Sequence, residues 1–283
     1  DSGMDITPGA FSEIGIEVYQ VPLKIELDGK TYRSGVDIQP DEFYELIQTT
    51  KSLPVTSLPS PGDFVELYKK LAPLGPILSI HISSGLSNTI QSAITAAQMV
   101  PEAIITFIDT FTLSGAQGWQ VEAAARAVKA GWPVEKIVEL VAKVRAATET
   151  VYTLPDLRYL IHGGRISHMK GLLANLLNIK PLIGVSKTDG KYYERGKSPT
   201  FRRALEGIAN VISRDVPEGN DLRVQIGSTA NPEGADHLRE ILNKRFKCHW
   251  LPDSTVAPAL GAHTGVGLVG AFYAPMNLFP QLP

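Results

Sequence analysis

The sequence predicts an α/β protein of two domains, an N-terminal, mainly parallel α/β sheet domain over residues 1–149 and a smaller C-terminal α/β domain over 150–283. Two observations carry the first domain. Continuous apolar runs at Pro76–Ile82 and Ala103–Ile108 have the pattern of strands buried on both faces. Each is followed by a stretch with helical spacing, and that alternation argues for parallel pairing. A third observation carries the second domain: Leu222–Ile226, a helical stretch from Pro232 to Phe246, and Cys248–Leu251 form another strand–helix–strand unit. The character of the chain changes near Glu149, where the boundary is placed.

Composition narrows the classes of function. Hydrophobic residues make up 43% of the 283 and charged residues 20%, an ordinary globular mixture. A net charge of −2 gives no reason to expect a nucleic-acid partner. One cysteine, Cys248, excludes an internal disulfide and a cysteine-cluster metal site. No apolar stretch approaches the roughly 18 residues of a membrane span, and no signal peptide is visible. The chain opens at Asp1-Ser2 without a methionine and reads as trimmed after a first strand. A soluble, cytoplasmic protein is expected.

Taken in order, Ile16–Leu27 is rich in Val and Ile and reads as strand. Asp28-Gly29 is a turn signal that lets Lys30–Ser34 pair back as a hairpin. Pro40 opens a short helix through Ile47. The prolines at 54 and 59 keep Val55–Ser60 extended, so Thr56 and Ser57 are expected in a loop. Ser60, Pro61 and Asp63 start a helix whose inner face is Phe64, Leu67, Tyr68 and Leu71. After Ile82, the bend Ser83-Ser84-Gly85-Leu86-Ser87-Asn88 leads to a helical pattern in which Ile90, Ala93, Ile94 and Ala97 repeat at three- and four-residue spacing. Ser114–Ala130 is a helix stopped by Gly131 and Pro133. Val134–Ala146 is another, with Ile137, Leu140, Val141 and Val144 inward.

In the second half, Thr150–Leu154 is a short strand and Pro155–Ile161 a short helix. Gly163-Gly164-Arg165-Ile166-Ser167 is a flexible turn, and Leu172, Leu173, Leu176 and Leu177 mark a strongly apolar helix. Pro181–Ser186 and Lys191–Arg195 form a hairpin around Asp189-Gly190. A helix runs from Thr200 to Ile212 and begins with Arg202-Arg203.

Three places draw the eye for chemistry. A strand ending in small hydroxyl residues before a helix makes an anion site, because the first amides of a helix lack intrahelical partners and its dipole favours negative charge. Ser84, Ser87 and Thr89 would add donors there, although Ser87 or Asn88 could equally serve as a plain helix cap. Thr56 and Ser57 are either a polar linker or a second pair of hydroxyls that converges on the first. His263 sits in Gly261-Ala262-His263-Thr264-Gly265 and is either a functional group or a satisfied histidine in a tight turn. Gly265–Gly270 matches G-x-G-x-x-G, but it does not open a helix in a βαβ unit and no acidic residue follows, so a dinucleotide site is rejected.

Seven segments in one chain order resemble the DegV family, the fatty-acid-binding proteins that serve bacterial fatty acid kinase. They are Asp1-Ser2, Thr56–Ser60, Ile82–Thr89, Asp109-Thr110 with Ser114 and Gly118, Tyr159–Ile166, Ile179–Leu182 and Gly261–Gly265. The resemblance spans residues 1 to about 274 and leaves Met276–Pro283 as an unmatched tail, expected to be disordered. It implies a ligand buried between the two domains: a long-chain fatty acid such as palmitate, stearate or oleate. It assigns the carboxylate to Thr56 and Ser87, with His263 beside them and Ser57, Ser84 and Thr264 nearby. It places Arg165 and Arg202 near the exposed mouth, facing an ATP-binding kinase partner that makes the acyl phosphate for phospholipid metabolism. The protein would then be a carrier and not an enzyme, with no cofactor or metal beyond its lipid, and with transient contact at a membrane surface. Leu58, Asn88, Ile90 and Val266 depart from the usual glutamine, glycine, tyrosine and proline, and Leu58 and Ile90 are expected to change pocket shape.

Two other classes compete. A serine hydrolase would use Ser84 or Ser87 with His263 and Asp109, although Ser84-Gly85-Leu86-Ser87 is not a nucleophile elbow. A lipid sensor would bind the same ligand without a kinase partner.

Overall fold

The computed structural model describes residues 1–5, 9–169 and 179–283. After α1 (Ala10–Ile14) the chain is extended without pairing until β1 (Lys24–Leu27), so the strand expected from Ile16 is cut to its last four residues. Pro22 has no N–H to give a ladder, and Ser2 takes the backbone of the residues beside it: Ser2 N–H donates to Val21 O, and Leu23 N–H donates to Ser2 Oγ. Asp28 and Gly29 both adopt positive φ, 50° and 75°, the turn that matches strand twist and closes β1 onto β2 (Lys30–Arg33). α2 (Pro40–Thr49) lays Phe43, Tyr44 and Ile47 over Ile25 and Leu27. Residues 55–57, expected as loop, form β3 (Val55–Ser57), which pairs antiparallel with the other edge of β1 and sets Thr56 opposite Ile25.

α3 (Pro61–Leu71) opens with a capping box between Ser60 and Asp63 and buries Phe64 and Tyr68. β4 (Ile77–His81), α4 (Thr89–Ala97) and β5 (Ile105–Asp109) follow, with β4 and β5 paired in parallel as a crossover helix requires. The inner face of α4 is Thr89, Ser92, Ala93 and Ala96; Ile90 and Ile94 are only partly covered. Small residues on that face let the helix sit close to Phe64 and Tyr68 of α3. α5 (Ser114–Lys129) and α6 (Val134–Ala147) pack on one another, and α6 turns inward the four residues its spacing predicts.

β6 (Glu149–Thr153) starts a larger mixed sheet. α7 (Arg158–His162) and a 3₁₀ turn (Arg165–His168) lead to the end of that described stretch; the apolar helix expected around Leu172–Leu177 lies outside the described residues. β7 (Lys180–Val185) and β8 (Tyr192–Ser198) form the expected hairpin, α8 (Phe201–Asp215) follows, and β9 (Asp221–Ser228), α9 (Pro232–Arg245) and β10 (Lys247–Trp250) make the parallel unit. β11 (Ser254–Thr255), α10 (Pro258–Thr264) and β12 (Val269–Pro275) complete the chain, with strand order β10-β9-β12-β6-β7-β8 and β11 beside β9.

α8 and α9 cover one face of this sheet through Ile208, Ile212, Leu238 and Leu242. The other face packs Phe272 and Ala274 of β12 against Trp119, Ala123 and Val144, so that core draws on both sides of residue 149. The tail is ordered against it. Phe279 is buried edge-on to Trp119 at 5.6 Å, and the Arg223 guanidinium lies 4.7 Å from the Trp119 ring and 4.3 Å from that of Phe279. The expectation of a disordered end missed that Phe279 and Leu282 are apolar enough to seek this face.

Candidate functional site

Four segments meet around a cavity of about 610 Å³: β3 with Leu58, the bend 82–88, the Gly163–Arg165 turn, and α10. The β1–β3 ladder pins Thr56. The bend is held from three sides. Ser83 N–H donates to Thr112 O at 2.9 Å, and the amides of Leu86 and Ser87 both donate back to Ser83 O at 3.0 Å. The Asp1 carboxylate accepts from the amide of Ile82 at 2.9 Å, and that of Asp109 from the amides of Ser84 (3.2 Å) and Phe111 (3.0 Å). Ser83 Oγ donates to Gly190 O at 2.8 Å, in the turn between β7 and β8. Here glycine is required: Gly190 has φ +66°, and a Cβ on it would stand 1.8 Å from Ser83 Oγ. A Cβ on Gly85 would stand 2.2 Å from Asp189 O. The hydroxyl-bearing bend is thus seated on a hairpin a hundred residues away.

Six of the expected residues line this one cavity: Thr56, Ser57, Ser84, Ser87, Arg165 and His263. His263 occupies the last turn of α10, not a glycine turn, because Pro258 starts the helix and Gly265, at φ 69°, ends it. Its Nε2 is 2.8 Å from Thr56 Oγ1. Burial, reinforced by the positive Arg165 and by His162, lowers its pKa to about 3, so the ring is uncharged at neutral pH. Ser87 Oγ is 2.8 Å from Thr89 Oγ1, and neither Ser87 nor Asn88 makes a side-chain cap to α4, so the plain capping reading fails. The half-buried Arg165 guanidinium donates to Gly163 O at 2.6 Å and Leu86 O at 3.4 Å.

Two expected residues fall elsewhere. Thr264 is one position on from His263 and so about 100° around the helix; it is buried, with its hydroxyl turned back 3.5 Å to Leu260 O. Arg202 is exposed in the first turn of α8, off the cavity wall, because α8 packs through Ala204, Leu205 and Ile208. The hydrolase triad is not assembled. His263 bonds to a threonine, its Nδ1 has no hydrogen-bond partner among the described residues, and Asp109 is occupied by two backbone amides. Among the described residues no group of three or more His, Cys, Asp or Glu is placed to hold a metal ion.

Leu113, Tyr192 and Leu260 line both the cavity and an apolar slot beyond it, whose further walls include Tyr152, Thr264, Leu268 and Phe272. The slot measures about 30 Å³, the space of one water molecule. Tyr152 and Tyr192 meet edge-on in its wall at 5.9 Å. Burial pushes the Tyr192 hydroxyl up to about 12. Sequence reasoning missed Leu23, Leu113, Tyr192 and Leu260 as wall residues. Their apolar character was visible, but which core they face depends on the hairpin and on α10 crossing to the first half.

The fold and the cavity define an α/β protein whose hydroxyl-lined chamber joins segments from both halves of the chain. The chain belongs to the DegV family: the family model, described as that of an uncharacterised protein, matches residues 1–276. A DegV domain-containing protein of Deinococcus radiodurans is 30% identical over 275 residues, 97% of this chain and 94% of that one. A solved structure of fatty acid binding by a DegV family protein from Thermus thermophilus superposes with a TM-score of 0.85 at 26% identity, covering 97% of both chains. DegV of Bacillus subtilis, solved as a fatty acid binding protein, gives a TM-score of 0.85 at 25% identity over 97% of this chain and 96% of that one.

Proposed function

We propose that this chain binds a long-chain fatty acid, with the carboxylate in the 610 Å³ cavity at Thr56 and Ser87 and the tail in the slot between residues 1–149 and 150–283. The observation that carries the reading is the convergence of Thr56, Ser87 and His263, from three distant segments, on one cavity that adjoins an apolar slot. The Thermus and Bacillus structures, each solved as a fatty-acid-binding protein, support it.

The energetics divide the work between the two ends. Burying a methylene yields about 0.8 kcal/mol, so a sixteen-carbon tail such as palmitate gains on the order of 10 kcal/mol before binding costs. The tail therefore supplies most of the affinity. It enters only if the walls of the slot part, because about 30 Å³ holds little more than one methylene. The carboxylate is expensive to desolvate without partners. Thr56, Ser57, Ser84 and Ser87 offer hydroxyls, and the uncharged His263 orients one of them, with no full positive charge at the histidine. Stearate and oleate fit the same logic.

The phosphoryl step belongs, in this reading, to a separate ATP-binding kinase that converts the presented acid to an acyl phosphate for phospholipid metabolism. Arg165 on the cavity wall and Arg202 on α8 are the residues we assign to that partner's side, and the protein acts in the cytoplasm with transient contact at the membrane surface. Among the described residues no helix is long and apolar enough to cross a membrane. The test is equilibrium binding of palmitate to the delipidated protein. Wild type is expected to bind and Ser87→Ala to bind roughly ten-fold or more weakly. Equal binding by the two removes Ser87 from the site.

A further inference from the structure

The Thr56–His263 pair leaves a question of direction, since either group can donate across the 2.8 Å between them. A neutral imidazole carries one N–H and one bare nitrogen. At His263 the other nitrogen, Nδ1, is buried and has no hydrogen-bond partner among the described residues. What faces it is Gly163: a Cβ built on that residue would lie 2.0 Å from Nδ1 and 2.8 Å from Cε1. The backbone of the Gly163–Gly164 turn therefore closes over the ring edge, and only the lack of a side chain allows the approach. The turn is itself fixed. Gly163 N–H donates to Tyr159 O at 2.9 Å and Gly163 O accepts from Arg165 at 2.6 Å, and neither group is hydrogen-bonded to Nδ1.

The two tautomers then differ in cost. With the proton on Nδ1, a buried N–H would be driven against the Cα–H of Gly163 with no acceptor among the described residues, at the desolvation cost of an unmade hydrogen bond. With the proton on Nε2, a bare lone pair faces the glycine and the N–H donates to Thr56 Oγ1. The doubly protonated ring would again leave an N–H orphaned, beside Arg165 and His162.

We propose that Gly163 is a positioning residue that holds His263 in its Nε2–H tautomer, so that Thr56 Oγ1 accepts from the ring and turns its own proton into the cavity. Thr56 is thereby committed as a donor, the polarity that a carboxylate or another acceptor-only anion requires. The device deepens the fatty-acid reading, and its value to the ligand rests on that reading, but the tautomer is a property of the free protein.

The decisive experiment is long-range ¹H–¹⁵N correlation of the ¹⁵N-histidine-labelled, delipidated protein at neutral pH, with the His263 signals assigned by their loss in His263→Gln. The proposal expects one neutral ring with the proton on Nε2. A proton on Nδ1, a tautomer average or an imidazolium overturns it. The second arm is palmitate affinity. Gly163→Ala is expected to lose ten-fold or more, and His263→Gln, whose amide nitrogen falls near the Nε2 position, to bind several-fold more tightly than His263→Asn. Equal loss in Gln and Asn variants overturns the directional role. If Gly163→Ala does not fold, the spectrum of wild type and the Gln–Asn pair still decide. A wild-type protein with the Nε2–H tautomer that binds no palmitate leaves the tautomer standing and removes the fatty-acid reading instead.

Discussion

Replacing Thr56 by valine removes one hydroxyl and keeps the shape of the side chain, so it isolates the polar work of that position. Two effects follow from the structure, and they appear in different measurements. The His263 nitrogen 2.8 Å away loses its partner whether or not ligand is bound. A buried polar group left unpaired costs roughly 1–3 kcal/mol, and this cost falls on folding stability. The ligand carboxylate loses a donor only in the complex. A hydrogen bond to a charged group contributes about 1.5–3 kcal/mol, which is roughly ten- to a hundred-fold in the palmitate dissociation constant. Thr56→Ser keeps the hydroxyl and should fall near wild type in both. The assays are chemical denaturation of the delipidated proteins and equilibrium palmitate binding. A Thr56→Val protein that is destabilised but binds palmitate within two-fold of wild type would show that the hydroxyl serves His263 and not the ligand. Unchanged values in both assays would mean that the Thr56 hydroxyl supports neither His263 nor the ligand.

Three further outcomes are expected. Gly190→Ala combines a strained positive φ with a Cβ placed 1.8 Å from Ser83 Oγ, whereas Gly219→Ala at φ +85° meets nothing within 4 Å. The first should cost about 1–3 kcal/mol more stability than the second and should also weaken palmitate binding; equal costs would mean that the hairpin does not seat the bend. Asp5 accepts from the amide of Ala257 at 2.8 Å and from the hydroxyl of Ser114, yet burial raises its pKa from 3.8 to about 7. The folded state therefore favours its neutral form, a contribution present below pH 3.8 and lost as pH rises through 7. Relative to Asp5→Asn, wild type should lose up to roughly 4 kcal/mol between pH 4 and 8, read as the shift in denaturation midpoint, and a constant difference across that range would contradict the assignment. Arg202→Ala, off the cavity wall, should leave palmitate binding unchanged and slow phosphorylation of the bound acid by a purified fatty acid kinase; loss of binding instead would place that arginine in the pocket.

What could be read ahead of the structure followed the physics that acts within a few residues. Helical spacing identified the inner face of α6, and the Asp28-Gly29 turn identified the first hairpin, because both are decided locally. β3 was hidden, since three residues beside two prolines form a strand only when a neighbour, β1, offers its edge. The spacing of Ile90, Ala93, Ile94 and Ala97 located α4 but not which of its residues pack: Ala93 and Ala96, not the larger Ile90 and Ile94, meet the aromatic rings of α3. At the site, hydroxyl and histidine residue types suggested Thr56, Ser87 and His263, and the family resemblance gave them roles. Thr264 was carried along by adjacency, and helix geometry turns it away. Nothing short-range could reveal that the Ser83 bend rests on Gly190 or that Gly163 faces His263, because these contacts span about a hundred residues of chain.

The most direct measurement is a crystal structure of the protein with palmitate. One carboxylate oxygen is expected within hydrogen-bond distance of Thr56 Oγ1, the other near Ser87 Oγ, and the tail running past Leu113, Tyr192 and Leu260 through a slot widened to admit it. A palmitate whose acid end lies away from residues 56 and 87, or whose tail lies on the surface with the slot still closed, would contradict that placement.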